Sequence, residues 1–377
     1  MSSDHDVIVI GAGPAGAAAA ATLARAGRRI LLLEKDRFPR EKVCGDFLSA
    51  SARRALERLG ALESVEAEAE RIGHGAVHVP GAPAVPFRLR EPGLGLSRRR
   101  LDLLLASRAE QLGAEARFAA RAVAVEGSSA SGFRVRCEGG GGEWEARARA
   151  IIGAWGRWDA LDRRLRRGFL LGSLKFLGWS RDYADPATTL SGQVHLYLFP
   201  GGYCGLSPVE GGLAHLAGVV SERAHRRLPP GWDAVVAHAR AANPALEEAM
   251  GRLRAGANGF FGTGPVFFTR KPPLEGGMLM IGDAAGMLDP FSGEGVAAAL
   301  DSGILAAESV EEALSGRLPL IEAAPEYARR WRDRFRRRFD WSAAFRRLML
   351  RPSAGAFAAR LAGRGVLRLA LTRLTGS

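Results

Sequence analysis

The feature that most constrains the fold is a six-residue turn near the start of the chain, Gly11-Ala12-Gly13-Pro14-Ala15-Gly16. The turn follows a short apolar strand predicted at residues 6–10 and opens a helix of small residues predicted at 14–26. Its first glycine permits the tight turn, its second lets a pyrophosphate approach the backbone, and its third lets the helix pack close to the strand. Phosphates would lie at the helix N-terminus, where free N–H groups and the helix dipole favour anions.

The acidic residue expected of such a site is also present. A second strand, predicted at residues 29–33, ends at Glu34, whose carboxylate can accept hydrogen bonds from ribose hydroxyls. A glycine-rich turn alone also occurs in ordinary strand–helix connections. The strand, the helix and the carboxylate together predict a dinucleotide site in a β-α-β unit.

A second glycine-rich segment lies in the last third of the chain and again joins a predicted strand to a predicted helix. Its residues with a predicted role are Gly282, Asp283, Pro290, Gly293 and Gly295. An aspartate there can bind a polyol hydroxyl, and the helix N-terminus can face an electron-rich ring edge. The alternative is that this segment is an unrelated turn. That interpretation does not explain why the chain contains two similar strand–turn–helix segments.

The length and composition of the chain limit the classes of protein to which it can belong. The 377 residues are enough for two domains with cores, and no stretch is apolar over the length that a membrane span requires. The N-terminus lacks the basic start and long apolar middle of a signal peptide. Three widely spaced cysteines show neither a disulfide framework nor a metal spacing. We therefore expect a cytoplasmic protein without a metal site.

The formal charge of +13 has two interpretations. It either reflects the arginine-rich composition of a GC-rich genome or indicates an anionic partner such as membrane lipid, nucleic acid or a phosphorylated substrate. We expect the first for most of the chain, and no binding of nucleic acid. Residues 328–351 are the exception, because they hold ten arginines against two aspartates. Their aromatic residues recur at helical spacing, which predicts a helix that either packs this face on the body or attaches to anionic lipid headgroups.

The two glycine-rich segments resemble those of the para-hydroxybenzoate hydroxylase-type flavoproteins. The resemblance rests on GAGPAG…E near the start and GDAAGMLDPFSGEGV near the end, and it covers roughly the first 315 residues. It implies FAD as cofactor, with the ribityl chain held by Asp283 and the isoalloxazine ring near residues 290–295. The family also has an arginine that opens a helix of pattern RxxxD, which Arg98 matches. We assign Lys35 and Lys42 to the same cofactor site.

Within this group the chain is most similar to the geranylgeranyl reductase-like branch. The segments that carry this resemblance are Lys42-Val43-Cys44-Gly45-Asp46 and Leu198-Phe199-Pro200-Gly201-Gly202-Tyr203. The first is similar to the branch's KxCGG/KxCGE segment, and the second to the turn of its substrate sheet. The chain departs from the branch in having His195 and Tyr197 where Tyr and Trp are usual. It also lacks both tryptophans of the halogenase WxWxIP segment, so halogenation is not expected.

The resemblance implies an FAD-dependent oxidoreductase that transfers hydride from reduced flavin to a carbon–carbon double bond of an apolar, isoprenoid substrate. Two alternatives stay open: an FAD-dependent monooxygenase of an aromatic or polyketide-like substrate, and a non-enzymatic prenyl-lipid carrier with the same fold. The electron donor is either NAD(P)H or a reduced protein carrier. Trp155 stands where the hydroxylases have the aspartate of a GADG segment, which predicts slow direct reduction by NADPH.

The candidates for the substrate cavity come from the second half of the chain, and they are His195, Tyr197, Phe199 and Tyr203. The alternative for these side chains is simple packing. Tyr197 is also a catalytic candidate, together with Cys44. This cysteine is either a small buried side chain or a group beside the flavin, and a nucleophilic role would require a lowered thiol pKa.

The predicted fold class is α/β, or α+β overall. It comprises a Rossmann-type FAD-binding domain with a small antiparallel meander, an antiparallel substrate-domain sheet and a helical C-terminus. The predicted FAD-binding domain is discontinuous and takes residues 1–72, 96–160 and 265–315. The substrate domain takes 73–95 and 161–264, and residues 316–377 form a basic helical region. A strand at residues 169–179 opens the predicted second sheet.

Overall fold

The computed structural model describes residues 4–172, 175–256 and 258–349. Its helices are α1 (Pro14–Arg25), α2 (Ala50–Leu59), α3 (Leu62–Glu66), α4 (Arg98–Gln111), α5 (Ala160–Arg164), α6 (Glu222–His225), α7 (Trp232–Ala242), α8 (Pro244–Gly251), α9 (Gly295–Leu314) and α10 (Leu320–Met349). Its strands are β1 (His5–Ile10), β2 (Ile30–Leu33), β3 (Phe47–Leu48), β4 (Glu70–His78), β5 (Val85–Gly95), β6 (Glu115–Arg117), β7 (Arg121–Ser128), β8 (Gly132–Gly139), β9 (Gly142–Gly153), β10 (Phe176–Ala184), β11 (Gln193–Phe199), β12 (Gly202–Val209), β13 (Leu213–Ser221), β14 (Arg254–Ala255), β15 (Phe261–Val266), β16 (Leu274–Glu275) and β17 (Met278–Met280).

The first sheet is built around five parallel strands in the order β6, β2, β1, β9, β17. β1 lies in the middle, because its last four residues are apolar and buried on both faces, as is usual for the centre of a parallel sheet. The antiparallel strands β7 and β8 extend this sheet from β9, which gives the predicted meander. Helices α1 and α9 pack closely against each other, since a Cβ at Gly303 of α9 would lie only 2.2 Å from the carbonyl oxygen of Ala15 in α1.

The second sheet has nine strands within the described residues, in the order β14, β10, β13, β12, β11, β4, β5, β3, with β15 beside β10. Its pairs are antiparallel except for β4 with β11. Helices α7 and α8 cover one face, where Trp179, Tyr197 and Leu246 belong to a common core. The other face turns toward the first sheet. The predicted α/β class with two sheets is confirmed.

The predicted strand at residues 169–179 is wrong in its first half. Residues Gly168–Leu171 form a 3-10 turn, and the strand runs over Phe176–Ala184 instead. Its register is set by nine consecutive pairs with β13, from Phe176 opposite Ser221 to Ala184 opposite Leu213. The apolar residues that suggested an earlier start of this strand include Leu171, which is 89% exposed.

Helix α10 packs its aromatic face against the body of the protein. Tyr327, Trp331, Phe335 and Phe339 are buried, and the hydroxyl of Tyr327 donates to the carbonyl oxygen of Met280 at 2.6 Å. The packing alternative for residues 328–351 is therefore confirmed for Trp331, Phe335 and Phe339. In the ranges that the structure describes, no helix is long and apolar enough to cross a membrane. Residues 350–377, the rest of the predicted basic region, lie outside the described residues.

Candidate active site

A deep cleft between the two sheets brings both glycine-rich segments together. Its wall includes the first turn, the loop at residues 42–47, the second glycine-rich segment and the inner face of the second sheet. Every residue predicted to bind the cofactor, except Gly16, lines this cleft: Gly11, Gly13, Pro14, Ala15, Glu34, Lys35, Lys42, Arg98, Gly282, Asp283, Pro290, Gly293 and Gly295.

The first turn needs its glycines for steric reasons. Gly11 has a φ of +108°, and a Cβ there would lie 2.4 Å from the carbonyl oxygen of Ala154. A Cβ at Gly16 would lie 1.8 Å from the carbonyl oxygen of Gly11. Gly16 therefore acts from behind the turn by letting the helix approach, which is why it does not line the cleft. Helix α1 starts at Pro14 without a side-chain cap, so its N-terminus opens toward the cleft.

Glu34 fixes the shape of this turn from the end of β2. The backbone N–H of Ala12 donates to Glu34 Oε2 at 2.9 Å, and the N–H of Asp36 donates to Oε1 at 3.1 Å. Its neighbour Lys35 instead reaches across the cleft edge to Asp159, with Nζ 2.7 Å from Oδ2. The carboxylate is thus held at the cleft while the lysine is engaged in an ion pair.

Four cationic side chains converge beside the first turn. They are Arg40, Lys42, Arg98 and Arg157, and all four line the cleft. Arg98 is paired with Asp102 through hydrogen bonds of 2.7 and 2.8 Å. Two guanidinium nitrogens of Arg40, Nε and Nη1, have no hydrogen-bond partner among the described residues. Burial and the neighbouring arginines, Arg157 first, lower the pKa of Lys42 to about 7. Buried guanidinium nitrogens without a hydrogen-bond partner, next to further cationic side chains, suit an anionic ligand.

The second glycine-rich segment meets the first turn directly. Gly282 has a φ of +55°, and a Cβ there would lie 2.9 Å from that of Ala15. Asp283 is half-buried at the cleft, and its carbonyl oxygen accepts a hydrogen bond of 2.7 Å from Lys271 Nζ. Helix α9 begins at Gly295 without a side-chain cap, which opens a second helix N-terminus toward the cleft.

The loop at residues 42–47 lies between the two sheets. Burial raises the pKa of the Cys44 thiol to about 11. Burial therefore acts against a nucleophilic thiolate at Cys44, since that role would require a lowered thiol pKa. The side chain does line the cleft, so a role in shaping it stays a prediction.

Three of the four side chains predicted to line the substrate cavity do not lie on the inner face of the second sheet. His195, Tyr197 and Phe199 point away from the cleft, so their placement in the substrate cavity is wrong. Tyr197 and Phe199 belong to the core under α7 and α8, which also removes Tyr197 as a catalytic candidate. His195 lies 3.0 Å from His78, Nδ1 to Nε2. Because side chains alternate along a strand, the cleft receives their neighbours instead.

The side chains that do face the cleft from this sheet are mostly apolar or small. Those on β11, β12 and β13 are Val194, Leu196, Tyr203, Gly205, Ser207, Ala217, Gly218 and Val219. Tyr203 is thus placed as predicted, although its hydroxyl is engaged. It donates to Asp289 and accepts from the backbone N–H of Phe291 at 3.0 Å.

Several residues of the cleft escaped the sequence patterns. Arg40 and Arg157 lie outside the glycine motifs. His215, which lies beside the cleft, is a polar residue among apolar ones in β13, whereas its neighbour Asp182 follows Ser180 and Arg181 in β10. His215 reaches the loop of Cys44, its Nε2 lying 2.9 Å from that carbonyl oxygen. A polar residue at an otherwise apolar strand position was the one signal that could have marked His215.

Comparison with known proteins agrees with this geometry. The profile of the FAD binding domain family matches residues 4–193. A digeranylgeranylglycerophospholipid reductase of Methanopyrus kandleri is 30% identical over 356 residues, covering 90% of this chain and 85% of that protein. A menaquinone reductase of Mycobacterium tuberculosis is 30% identical over 365 residues, covering 87% and 82%.

Solved structures share the whole fold. A geranylgeranyl bacteriochlorophyll reductase-like protein of Thermoplasma acidophilum superposes with a TM-score of 0.83 at 19% identity, covering 99% of this chain and 96% of that one. A flavin-dependent brominase also gives a TM-score of 0.83, at 21% identity, with coverage of 99% and 93%. Such low identities show the fold alone, whereas the family profile and the 30% identical relatives show the family to which the chain belongs. The chain therefore belongs to the FAD binding domain family and is an FAD-dependent oxidoreductase of its geranylgeranyl reductase-like branch.

Proposed function

We propose that this enzyme reduces carbon–carbon double bonds in the isoprenoid chain of a lipid. The observation that carries the proposal is the cleft itself, which joins a polar, cationic end at the two glycine-rich segments to a largely apolar wall on the second sheet. The two 30% identical relatives support it, since digeranylgeranylglycerophospholipid and menaquinone both carry isoprenoid chains. The monooxygenase alternative has no comparable support among these relatives.

The residues at the polar end fit the diphosphate of FAD. The uncapped start of α1 offers backbone N–H groups, and Arg40 offers two nitrogens without a hydrogen-bond partner among the described residues. A Cβ added to Gly13 would meet only guanidinium nitrogens, those of Arg98 and Arg40 at 3.7 and 3.8 Å. This open space bordered by cations is what a diphosphate requires. Glu34 would bind the ribose.

The second segment would hold the other half of the cofactor. Asp283 would accept hydrogen bonds from the ribityl chain, and the start of α9 would face the ring. When bound and reduced, FAD supplies hydride to the double bond. Because α10 packs behind this segment, with Phe339 2.6 Å from a Cβ added to Gly286, the loop is held from both sides.

The apolar wall would orient the isoprenoid chain and exclude water. Phe47, Phe87, Leu89, Leu196 and Val219 line it. Burial of apolar surface contributes about 25 cal/mol per Å², so a long hydrocarbon chain can be bound without polar contacts. Polar groups at this wall would reduce that binding.

The experiment is reduction of a geranylgeranyl lipid or of menaquinone by the FAD-loaded, prereduced protein under anaerobic conditions. Mass spectrometry should show two hydrogens gained per reduced bond. Leu196→Gln should weaken turnover because it places an amide on the apolar wall. His195→Gln is the matched control, since this neighbour lies on the opposite face of the same strand. No reduced product from either lipid would refute the proposal, and oxygen incorporated under air would support a monooxygenase instead.

We also infer that the outer side of α10 contacts the membrane from which such a lipid is taken. Arg332, Arg336 and Arg337 are exposed there, and Trp341 is 65% exposed, although the aromatic face of the helix is buried. Cations and an aromatic ring of this kind suit an anionic lipid surface. Sedimentation with vesicles that contain anionic lipid should carry the protein down, and replacing these arginines with glutamine should abolish it. Equal sedimentation with purely zwitterionic vesicles would contradict this inference.

A further inference from the structure

Three titratable side chains from distant parts of the chain form a buried row beside the cleft. His215 on β13 lies in the middle, with its Nδ1 2.5 Å from Asp182 Oδ1 on β10. On its other side, Nε2 lies 3.5 Å from Asp46 Oδ2 and 2.9 Å from the carbonyl oxygen of Cys44. The side chains of Asp182, His215 and Asp46 are 20%, 7% and 4% exposed. The row thus leads from a partly exposed carboxylate to a buried one at the cleft.

The backbone of Asp46 is held in an unfavourable conformation. Its φ is +52°, in the left-handed region that non-glycine residues seldom adopt. Its carbonyl oxygen accepts a hydrogen bond of 3.0 Å from the N–H of Leu96, which ties it to the start of α4. Backbone strain of this kind costs of order 1–3 kcal/mol and persists where the surrounding structure holds it, often at functional sites.

The carboxylate of Asp46 is also incompletely satisfied. Asp46 lines the cleft, and its Oδ1 is buried without a hydrogen-bond partner among the described residues. A buried polar atom without a partner is unfavourable unless a ligand or water completes it. One oxygen therefore forms an ion pair with His215, while the other is available to a group in the cleft.

We propose that Asp46 is the acid that delivers the proton in the reduction and that His215 and Asp182 position it. The proposal rests on the proposed function. In that reaction the π bond is lost and two C–H bonds form. One carbon would take the hydride that the reduced cofactor supplies when bound, and the other would take the proton of Asp46. The O–H bond of Asp46 breaks, its electron pair stays on the carboxylate, and the carboxylate regains a proton from solvent before the next turnover.

The charges around Asp46 suit an acid of this kind. Burial raises its pKa to about 6, His215 and then Arg98 oppose this, and Asp182 adds to it. Such a pKa near the working pH favours both holding and releasing a proton. The competing donor in the same loop is the Cys44 thiol, a far weaker acid because burial raises its pKa to about 11.

The groups that face His215 complete this electrostatic setting. Burial lowers the pKa of His215, but Asp46 and Asp182 outweigh burial and raise it to about 9. Glu41 faces Asp182 and His215 from the loop before Lys42, with Arg99 and Glu210 beside it. His215 is therefore a cation at neutral pH, which keeps the pKa of Asp46 from rising further.

The direct test is Asp46→Asn in the FAD-loaded protein. The prereduced variant, mixed anaerobically with a geranylgeranyl lipid, should reoxidise its flavin about 10²–10⁴-fold more slowly than the wild type. Its FAD content should stay unchanged. In the resting protein, infrared spectroscopy should show a protonated carboxyl band that titrates near pH 6 and is missing from the variant. Asp233→Asn is the matched control, since it makes the same change at a carboxylate that is 88% exposed and does not line the cleft.

His215→Gln provides a second test that does not depend on the folding of Asp46→Asn. Loss of the imidazolium should raise the pKa of Asp46, so the decline of the rate with rising pH should move to higher pH. A merely structural role for His215 would leave the position of that decline unchanged. Reoxidation at the wild-type rate in Asp46→Asn, or an unmoved pH profile in His215→Gln, would overturn this inference alone. A wild type that reduces no isoprenoid bond would overturn the proposed function with it.

Discussion

Gly16→Ala tests the link between close helix packing and cofactor binding. The added Cβ would lie 1.8 Å from the carbonyl oxygen of Gly11, whereas Cβ contacts below 3.0 Å essentially do not occur. The turn or the helix must therefore move by about 1.2 Å. Helix α1 cannot easily move away from the turn, because it already packs tightly on α9: a Cβ at Gly303 of α9 would lie 2.2 Å from the carbonyl oxygen of Ala15.

The displacement is large compared with the tolerance of a hydrogen bond. N–H···O distances span about 2.7–3.2 Å, so a shift of this size breaks a bond from the start of α1 to a phosphate. Bonds to charged groups contribute about 1.5–3 kcal/mol each, and loss of one raises the dissociation constant for FAD roughly 10- to 100-fold. Overpacking should also cost about 1–3 kcal/mol of stability.

The assay is titration of the apoprotein with FAD, followed by flavin fluorescence, together with a melting temperature. Gly27→Ala is the matched control at the other end of the same helix. Gly27 has a φ of +77° and no atom near its Cβ position, so alanine should lose about 1–2 kcal/mol of stability from backbone strain while FAD affinity is retained. Wild-type FAD affinity in Gly16→Ala would refute the argument.

Four further predictions follow from the same structure. Asp283→Ala should release FAD at least about 10-fold more readily, measured by filtration, because its hydrogen bonds to the ribityl chain are charge-assisted. Stopped-flow mixing with NADPH should reduce the flavin far more slowly than an ordinary turnover of ~10 per second, and reduction at that rate would show that Trp155 is without consequence. Alkylation of Cys44 by iodoacetamide should be slow at pH 8 and accelerate toward its pKa of about 11, and Cys44→Ser should keep FAD. Because the pKa of His215 is raised from 6.5 to about 9 on folding, its stabilising effect should be full below pH 6.5 and lost as the pH rises through 9. Urea unfolding of wild type and His215→Gln should show this, and a stability difference that grows with pH would contradict it.

The cofactor end of the site could be predicted from the sequence because its chemistry is local. A strand, a glycine turn and a helix start occupy consecutive residues, and the positive φ of Gly11 and the open start of α1 follow from those residues alone. The same holds for Gly282 and the start of α9. Only the resemblance to a family predicted that both segments line one cleft, because neither segment by itself indicates that the other lies next to it.

The face of the second sheet could not be read from the sequence in the same way. The alternation in β11 correctly separates His195, Tyr197 and Phe199 from Val194 and Leu196. A period of two defines two faces but does not say which one meets the cleft, and both faces of this strand are partly apolar. The helices α7 and α8, at residues 232–251, determine which face meets the cleft, because they cover the face of β11 that carries Tyr197.

The row of Asp182, His215 and Asp46 depends on tertiary structure alone. Its contacts join residues up to 171 positions apart, through the antiparallel pairing of β10 with β13 and the passage of a loop between the sheets. A histidine in an apolar strand shows only that a buried partner is required. The sequence thus determined the proposed cofactor end of the cleft, which neighbouring residues form, and the tertiary structure decided the proposed substrate side, whose residues come from separate strands.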